Sequence, residues 1–227
     1  MIPVVLIPGV GLRGWAFDSV VARLDMVPHR VVERPTEIAE VTAQADEIAA
    51  SIAHTEGAAF VVGVSGGATV GLALAARHPQ VVRGALLHEP LIGERVPALH
   101  ALIAQRAALA AGATPDELCA IFAGLIGHAT WASLSDEQRS TVDLERVRTE
   151  LPRFARFALN DSDVVALRAQ HLRTTVGGRS GRERVAVAEW LATHAGCAVS
   201  VIEAAGNSAH LDAPEALARQ VLDSVSS

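Results

Sequence analysis

The segment best suited to nucleophilic chemistry is Gly63-Val64-Ser65-Gly66-Gly67, a G-x-S-x-G pattern. An apolar run, Ala58-Ala59-Phe60-Val61-Val62, leads into it, and a small-residue stretch, Ala68-Thr69-Val70-Gly71-Leu72-Ala73, leads out. These flanks read as a strand and a helix, so Ser65 falls on a sharp strand-to-helix turn, the context a nucleophile elbow requires. Residues without bulk let the chain pass through such a turn. The turn lifts the serine Oγ above the sheet, and the helix N-terminus offers free N–H groups to a developing oxyanion. The bland alternative is a glycine-rich turn with no chemistry, since the bare pattern is common by chance.

The elements that must hold this serine are legible as alternating patterns. Apolar strand candidates fall at 4–7, 30–33, 60–64, 84–88, 172–176 and 198–203, and helix candidates at 15–24, 37–54, 66–78, 182–194 and 214–225. Strands alternating with helices, and apolar nearly throughout, predict an α/β domain: a mostly parallel six-stranded sheet covered on both faces. Ligands in such sheets bind outside the C-terminal strand ends. Pro8, Ser65, Glu89, Gly177 and the loop after Glu203 all fall there.

One stretch breaks the alternation. Residues 93–160 contain no strand candidate and several helix starts, with Thr114 before Pro115 and Ser135 before Asp136 as N-caps. Inserted after the fourth strand, this stretch reads as a helical cap (93–160) over a core built from 1–92 and 161–227. The bland alternative is a set of surface helices packed elsewhere. Asp161 and Asp163 read as a helix cap and turn rather than a metal site.

Composition sets further bounds. The chain has 227 residues, half of them hydrophobic, and a formal net charge of -6. That suffices for one domain with a full core. The acidic balance and the lack of a basic stripe argue against a nucleic-acid partner. No apolar run reaches membrane-spanning length, which argues against a membrane partner. Two cysteines, Cys119 and Cys197, and an N-terminus that opens on Pro3-Val4-Val5-Leu6-Ile7 rather than a signal pattern point to reduced thiols and a cytoplasmic location.

The elbow, the order of elements and the place of the insertion together resemble the α/β-hydrolase fold, over nearly the whole chain. Leu6-Ile7-Pro8-Gly9-Val10-Gly11-Leu12-Arg13-Gly14-Trp15 is similar to that family's first-strand turn, with Pro8 where a histidine is usual. The resemblance implies an oxyanion hole made of the Val10 and Gly66 backbone N–H groups. Relative to the family, the first two strands are missing. No cofactor is implied, and the partner is a small-molecule substrate, largely hydrophobic, under the cap; nothing in the sequence sets the oligomeric state.

The other two triad positions depart from the family. Its usual aspartate position, after the penultimate strand, falls on Ser180 in Val176-Gly177-Gly178-Arg179-Ser180. Glu89, in His88-Glu89-Pro90, is the substitute acid, because some members place the acid after the strand that follows the nucleophile helix. The usual histidine position falls on Asn207 in Gly206-Asn207-Ser208-Ala209-His210, with His210 three residues later. Asparagine does not accept a proton near neutral pH. Three readings stay open. His210 serves as base with Glu89 behind it, and Ser65 attacks an ester, thioester or lactone. Alternatively the relay is degenerate and the chain binds a ligand without turnover. In the third, Ser65 and Asn207 act as hydrogen-bonding groups in a non-hydrolytic reaction such as a cyclisation. His88 is a backup base in the first reading and a satisfied strand-end histidine in the bland one.

Overall fold

The computed structural model describes residues 2–35, 37 and 40–226. Six strands form one parallel sheet: β1 (Val4–Ile7), β2 (His29–Val31), β3 (Ala59–Val64), β4 (Val82–His88), β5 (Leu172–Gly177) and β6 (Ala198–Ile202), in the order β2-β1-β3-β4-β5-β6. The helices are α1 (Asp18–Val21), α2 (Val41–Thr55), α3 (Gly66–Arg77), α4 (Pro97–Ala111), α5 (Pro115–Ile126), α6 (His128–Ser133), α7 (Asp136–Ser140), α8 (Leu144–Arg156), α9 (Asp161–Arg168), α10 (Arg182–Ala195), α11 (Ala209–Asp212) and α12 (Pro214–Val225).

Side-chain alternation assigns the two faces. Val5, Ile7 and Val61 point into one hydrophobic core, with α2 and α3; Val4, Leu6, Phe60, Val62 and Val64 point into the other, with α1 and α12. Both faces are buried, which is why β1 and β3 read as unbroken apolar runs rather than alternating ones. The chain runs outward from β1 to β2, then returns to β3. Loops after β1 and β3 therefore diverge at a topological switch point, where such sheets bind ligands.

Two expected elements shift. The second strand is three residues at His29–Val31: Val32 N–H makes the last bond to β1, at the Leu6 carbonyl, and Arg34 turns into a buried cluster. The first helix is a 3-10 turn at Gly14–Phe17 followed by the single turn α1. The start expected at 37 precedes the observed start of α2 at Val41; Thr36, Ile38 and Ala39 lie outside the described residues.

Between β4 and β5 the described residues form only helices, as expected for 93–160. Three helix starts carry reciprocal capping boxes: Thr114 with Glu117, Ser135 with Gln138 and Asn160 with Asp163. A buried ionic cluster ties α8 to the sheet edge. Glu150 accepts Arg34 Nη1 and Nη2 at 3.0 and 2.9 Å, Arg146 Nη2 at 2.6 Å and Gln44 Nε2 at 3.0 Å. Burial pushes the Arg34 pKa down and Glu150 opposes the shift, so the guanidinium depends on this carboxylate. No helix among the described residues is long and apolar enough to cross a membrane.

Candidate functional site

Ser65 has φ 54° and ψ -119°, a strained conformation for a residue with a side chain. The flanking glycines make it feasible. A β-carbon on Gly67 would overlap the Ile7 carbonyl oxygen, and one on Gly63 would lie 2.5 Å from the Gly67 carbonyl oxygen. The strain, of order 1–3 kcal/mol, is held by hydrogen bonds on both sides. Ser65 N–H donates to the His88 carbonyl at 2.8 Å, and the Ser65 carbonyl accepts Thr69 N–H at 3.0 Å.

Two backbone donors flank the serine. The N–H groups of Val10 and Gly66 make no hydrogen bond to any described residue. Gly66 packs so closely that a β-carbon there would lie 2.8 Å from Val10 Cγ2 and 2.9 Å from Phe154 Cζ. The turn bearing Val10 is held from behind, where Arg34 Nη2 donates to the Gly9 carbonyl at 2.9 Å. The buried ionic cluster thus fixes the loop after β1 as well as α8.

The proton relay expected at Ser65 is not made. Asn207 stands beside the serine: its Nδ2 donates to Ser65 Oγ at 3.1 Å and to the Leu125 carbonyl at 3.0 Å, while its Oδ1 is buried without a partner. His210 sits on α11, turned inward against Phe17 with ring centroids 4.9 Å apart. Neither of its ring nitrogens makes a well-formed hydrogen bond. Burial, reinforced by the proximity of His88 and opposed by the Ser208 backbone, lowers its pKa to about 3. The physical reason for the displacement is that α11 begins at Ala209. The imidazole then belongs to the core-facing side of a helical turn, and the side chain preceding that turn faces Ser65.

Glu89 does not orient His210. Its Oε1 accepts Gly177 N–H at 2.9 Å, its Oε2 lies 3.7 Å from Arg184 Nε, and its nearest imidazole is His88 at 3.8 Å. Glu89 has φ 51°, a second strained residue at a strand end. His88 is fully buried, and burial lowers its pKa. Its Nε2 lies 2.9 Å from the Gly206 carbonyl, which only accepts, so Nε2 carries the proton and Nδ1 accepts from Thr175 Oγ1, also at 2.9 Å. Both nitrogens are thereby used. His88 holds the loop that presents Asn207 and is not a base at Ser65. Asp212 holds the same loop, accepting Gly206 N–H at 2.8 Å. Ser180 Oγ is buried without a partner at the cavity wall, away from any imidazole bond.

Two cavities meet at this place. An inner one of about 20 Å³ is lined by Ser65, Val10, Asn207, His210 and apolar side chains of α4 and α5. An outer one of about 300 Å³ opens beyond Asn207, toward Ser180 and Thr130. Arg106 and Arg184 line both, and the sequence reading missed them. The signal was present for Arg106: Leu99, Leu102, Ile103 and Arg106 share one helical stripe, so a cation sits where an apolar residue belongs.

No protein-family model matches the chain, and no curated protein matches it in sequence. Solved structures do. A hydrolase from Pseudomonas aeruginosa superposes with a TM-score of 0.78 at 17% identity, covering 99% of this chain and 90% of the other. MenH from S. aureus gives 0.77 at 11% identity, covering 99% and 93%. A thermophilic esterase from Thermogutta terrifontis gives 0.74 at 18% identity, covering 100% and 90%. At such identities the likeness speaks for architecture. Together with the parallel sheet and the strained serine between two glycines, it places this chain in the α/β-hydrolase fold.

Proposed function

We propose that this protein is a hydrolase of small esters, thioesters or lactones, with Ser65 as nucleophile beneath a helical cap formed by 93–160. The observation that carries the reading is the elbow: a strained serine facing a narrow chamber, flanked by two uncommitted N–H groups. Such strain persists at functional sites because the surroundings over-determine it. The esterase and hydrolase names of the structural neighbours agree with the reading.

In this proposal Ser65 Oγ attacks the carbonyl carbon and the Val10 and Gly66 N–H groups receive the oxyanion. The Ser65 proton passes to His210, whose ring nitrogens lack good partners at the wall of the same chamber. Collapse of the intermediate expels the alcohol or thiol, which takes that proton; water then releases the acid from Ser65. His210 reaches Ser65 only if the loop at 203–208 shifts or the imidazole changes rotamer, displacing the Asn207 hydrogen bond. Labelling by a fluorophosphonate probe, abolished by Ser65→Ala, is the expected result. Absence of both labelling and Ser65-dependent ester hydrolysis overturns the proposal.

One observation favours a second reading. Asn207 Nδ2 donates to Ser65 Oγ, occupying the place of a base with a donor. A site built this way binds a carbonyl compound, or rearranges one, without hydrolysis. Asn207→His separates the two readings. A gain of about 100-fold or more in esterase activity, the scale of general-base catalysis, means that the native chain lacks a working base. A loss means that Asn207 serves the native reaction.

A further inference from the structure

One cation stands uncommitted in the chamber that holds Ser65. Arg106, on α4, lies at the junction of the two cavities, which share Leu102, Arg106, Leu125, Ile126, Arg184 and Asn207. It is half-buried and makes no hydrogen bond or ion pair with any described residue. The other cations facing these cavities are engaged. Arg184 lies 3.7 Å from Glu89, and Arg179 pairs with Asp212 at 3.1 Å. Glu183, at the outer cavity, attracts Arg106 but does not reach ion-pair distance; its carboxylate folds back over Gly181. The inner chamber is lined by two guanidiniums and no carboxylate.

A cation drawn out of water without a partner costs free energy, and a bound anion recovers it. We infer that the site takes a substrate bearing a carboxylate, which Arg106 receives while the carbonyl to be attacked lies at Ser65. The substrate class is a half-ester or half-thioester of a short dicarboxylic acid. Shortness follows from Ser65 and Arg106 lining the same narrow chamber. A carboxylate fits better than a phosphate, because the remaining walls are largely apolar and no second free cation lines the chamber. The placement of the carbonyl rests on the hydrolase reading above; the anion site does not.

The test compares the mono-p-nitrophenyl ester of succinate with p-nitrophenyl pentanoate, which matches it in length without the charge. Wild-type protein is expected to favour the anionic ester in kcat/KM by about tenfold or more, the worth of one charge-assisted hydrogen-bond pair, with the gain in KM. Arg106→Gln is expected to bring the ratio of the two esters to about one, and Arg106→Lys to restore part of it. A wild-type preference for the neutral ester, or a ratio that survives Arg106→Gln, overturns the inference. Calorimetry on Ser65→Ala needs neither turnover nor the Arg106 variants: succinate is expected to bind at least about tenfold more tightly than succinamide. Equal binding of the two, or tighter binding of inorganic phosphate than of succinate, overturns the assignment. The two proposals fail separately. Selective succinate binding without ester hydrolysis removes the hydrolase reading and keeps the anion site. Ser65-dependent hydrolysis without anionic preference does the reverse.

Discussion

Acid should destabilise this protein through His210, by an amount that follows from its burial. In the folded chain the His210 pKa falls to about 3, because the imidazole is buried against Phe17 without good hydrogen bonds. In the unfolded chain it returns to the ordinary histidine value of 6.5. Below that value the unfolded state binds a proton that the folded state refuses, so stability falls as pH falls through the window between the two values. Between pH 7 and pH 5 the loss from this one group is about 2 kcal/mol. His88 is shifted in the same direction and adds to the loss. The assay is urea unfolding of wild type and His210→Leu at both pH values. The variant should lose about 2 kcal/mol less than wild type over that interval, since leucine has nothing to protonate and every other group cancels in the difference. Equal losses in the two proteins would refute the burial argument, and with it the placement of the imidazole.

Further outcomes follow from the site. Gly67→Ala should cost about 3 kcal/mol, the upper end of the overpacking range, because its β-carbon overlaps the Ile7 carbonyl; a loss below about 1 kcal/mol in denaturant unfolding would contradict the packing of the elbow. Glu150→Gln should cost about 3–5 kcal/mol by leaving Arg34 and Arg146 buried without their carboxylate, read from the same unfolding curves. If His210 is the base, kcat/KM should stay flat from pH 8 down to about pH 5. The imidazole then remains unprotonated until far below the ordinary histidine range, and an acid limb near pH 6.5 would exclude it.

Much of the architecture was legible because it is written locally. The strand before Ser65 and the small-residue helix after it are neighbours in sequence, and the turn between them tolerates only residues without bulk at Gly63 and Gly67. The capping boxes at Thr114, Ser135 and Asn160 are each closed within three residues. The strand pattern extends β2 beyond Val31, but the segment after it is claimed by distant partners: Arg34 bonds Glu150 and Arg146 donates to the Arg34 carbonyl.

The chemistry of the site was legible only in part, and the reason is distance along the chain. Ser65 and Asn207 meet across 142 residues, and Glu89 reaches Gly177 across 88. The sequence itself places Asn207 on the usual histidine position. Whether His210 compensates depends on where α11 begins and on the direction its ring takes, and packing against Phe17 decides that. Likewise, Arg106 could be read as a cation on an apolar helical stripe, but its lack of a partner emerges only once Glu89 and Asp212 have taken Arg184 and Arg179. The sequence by itself determined the parallel α/β sheet, the helical insertion and the elbow at Ser65, because local sterics and periodicity dictate each. The tertiary structure decided which groups stand around that serine, because each of them is held by contacts between segments far apart in the chain.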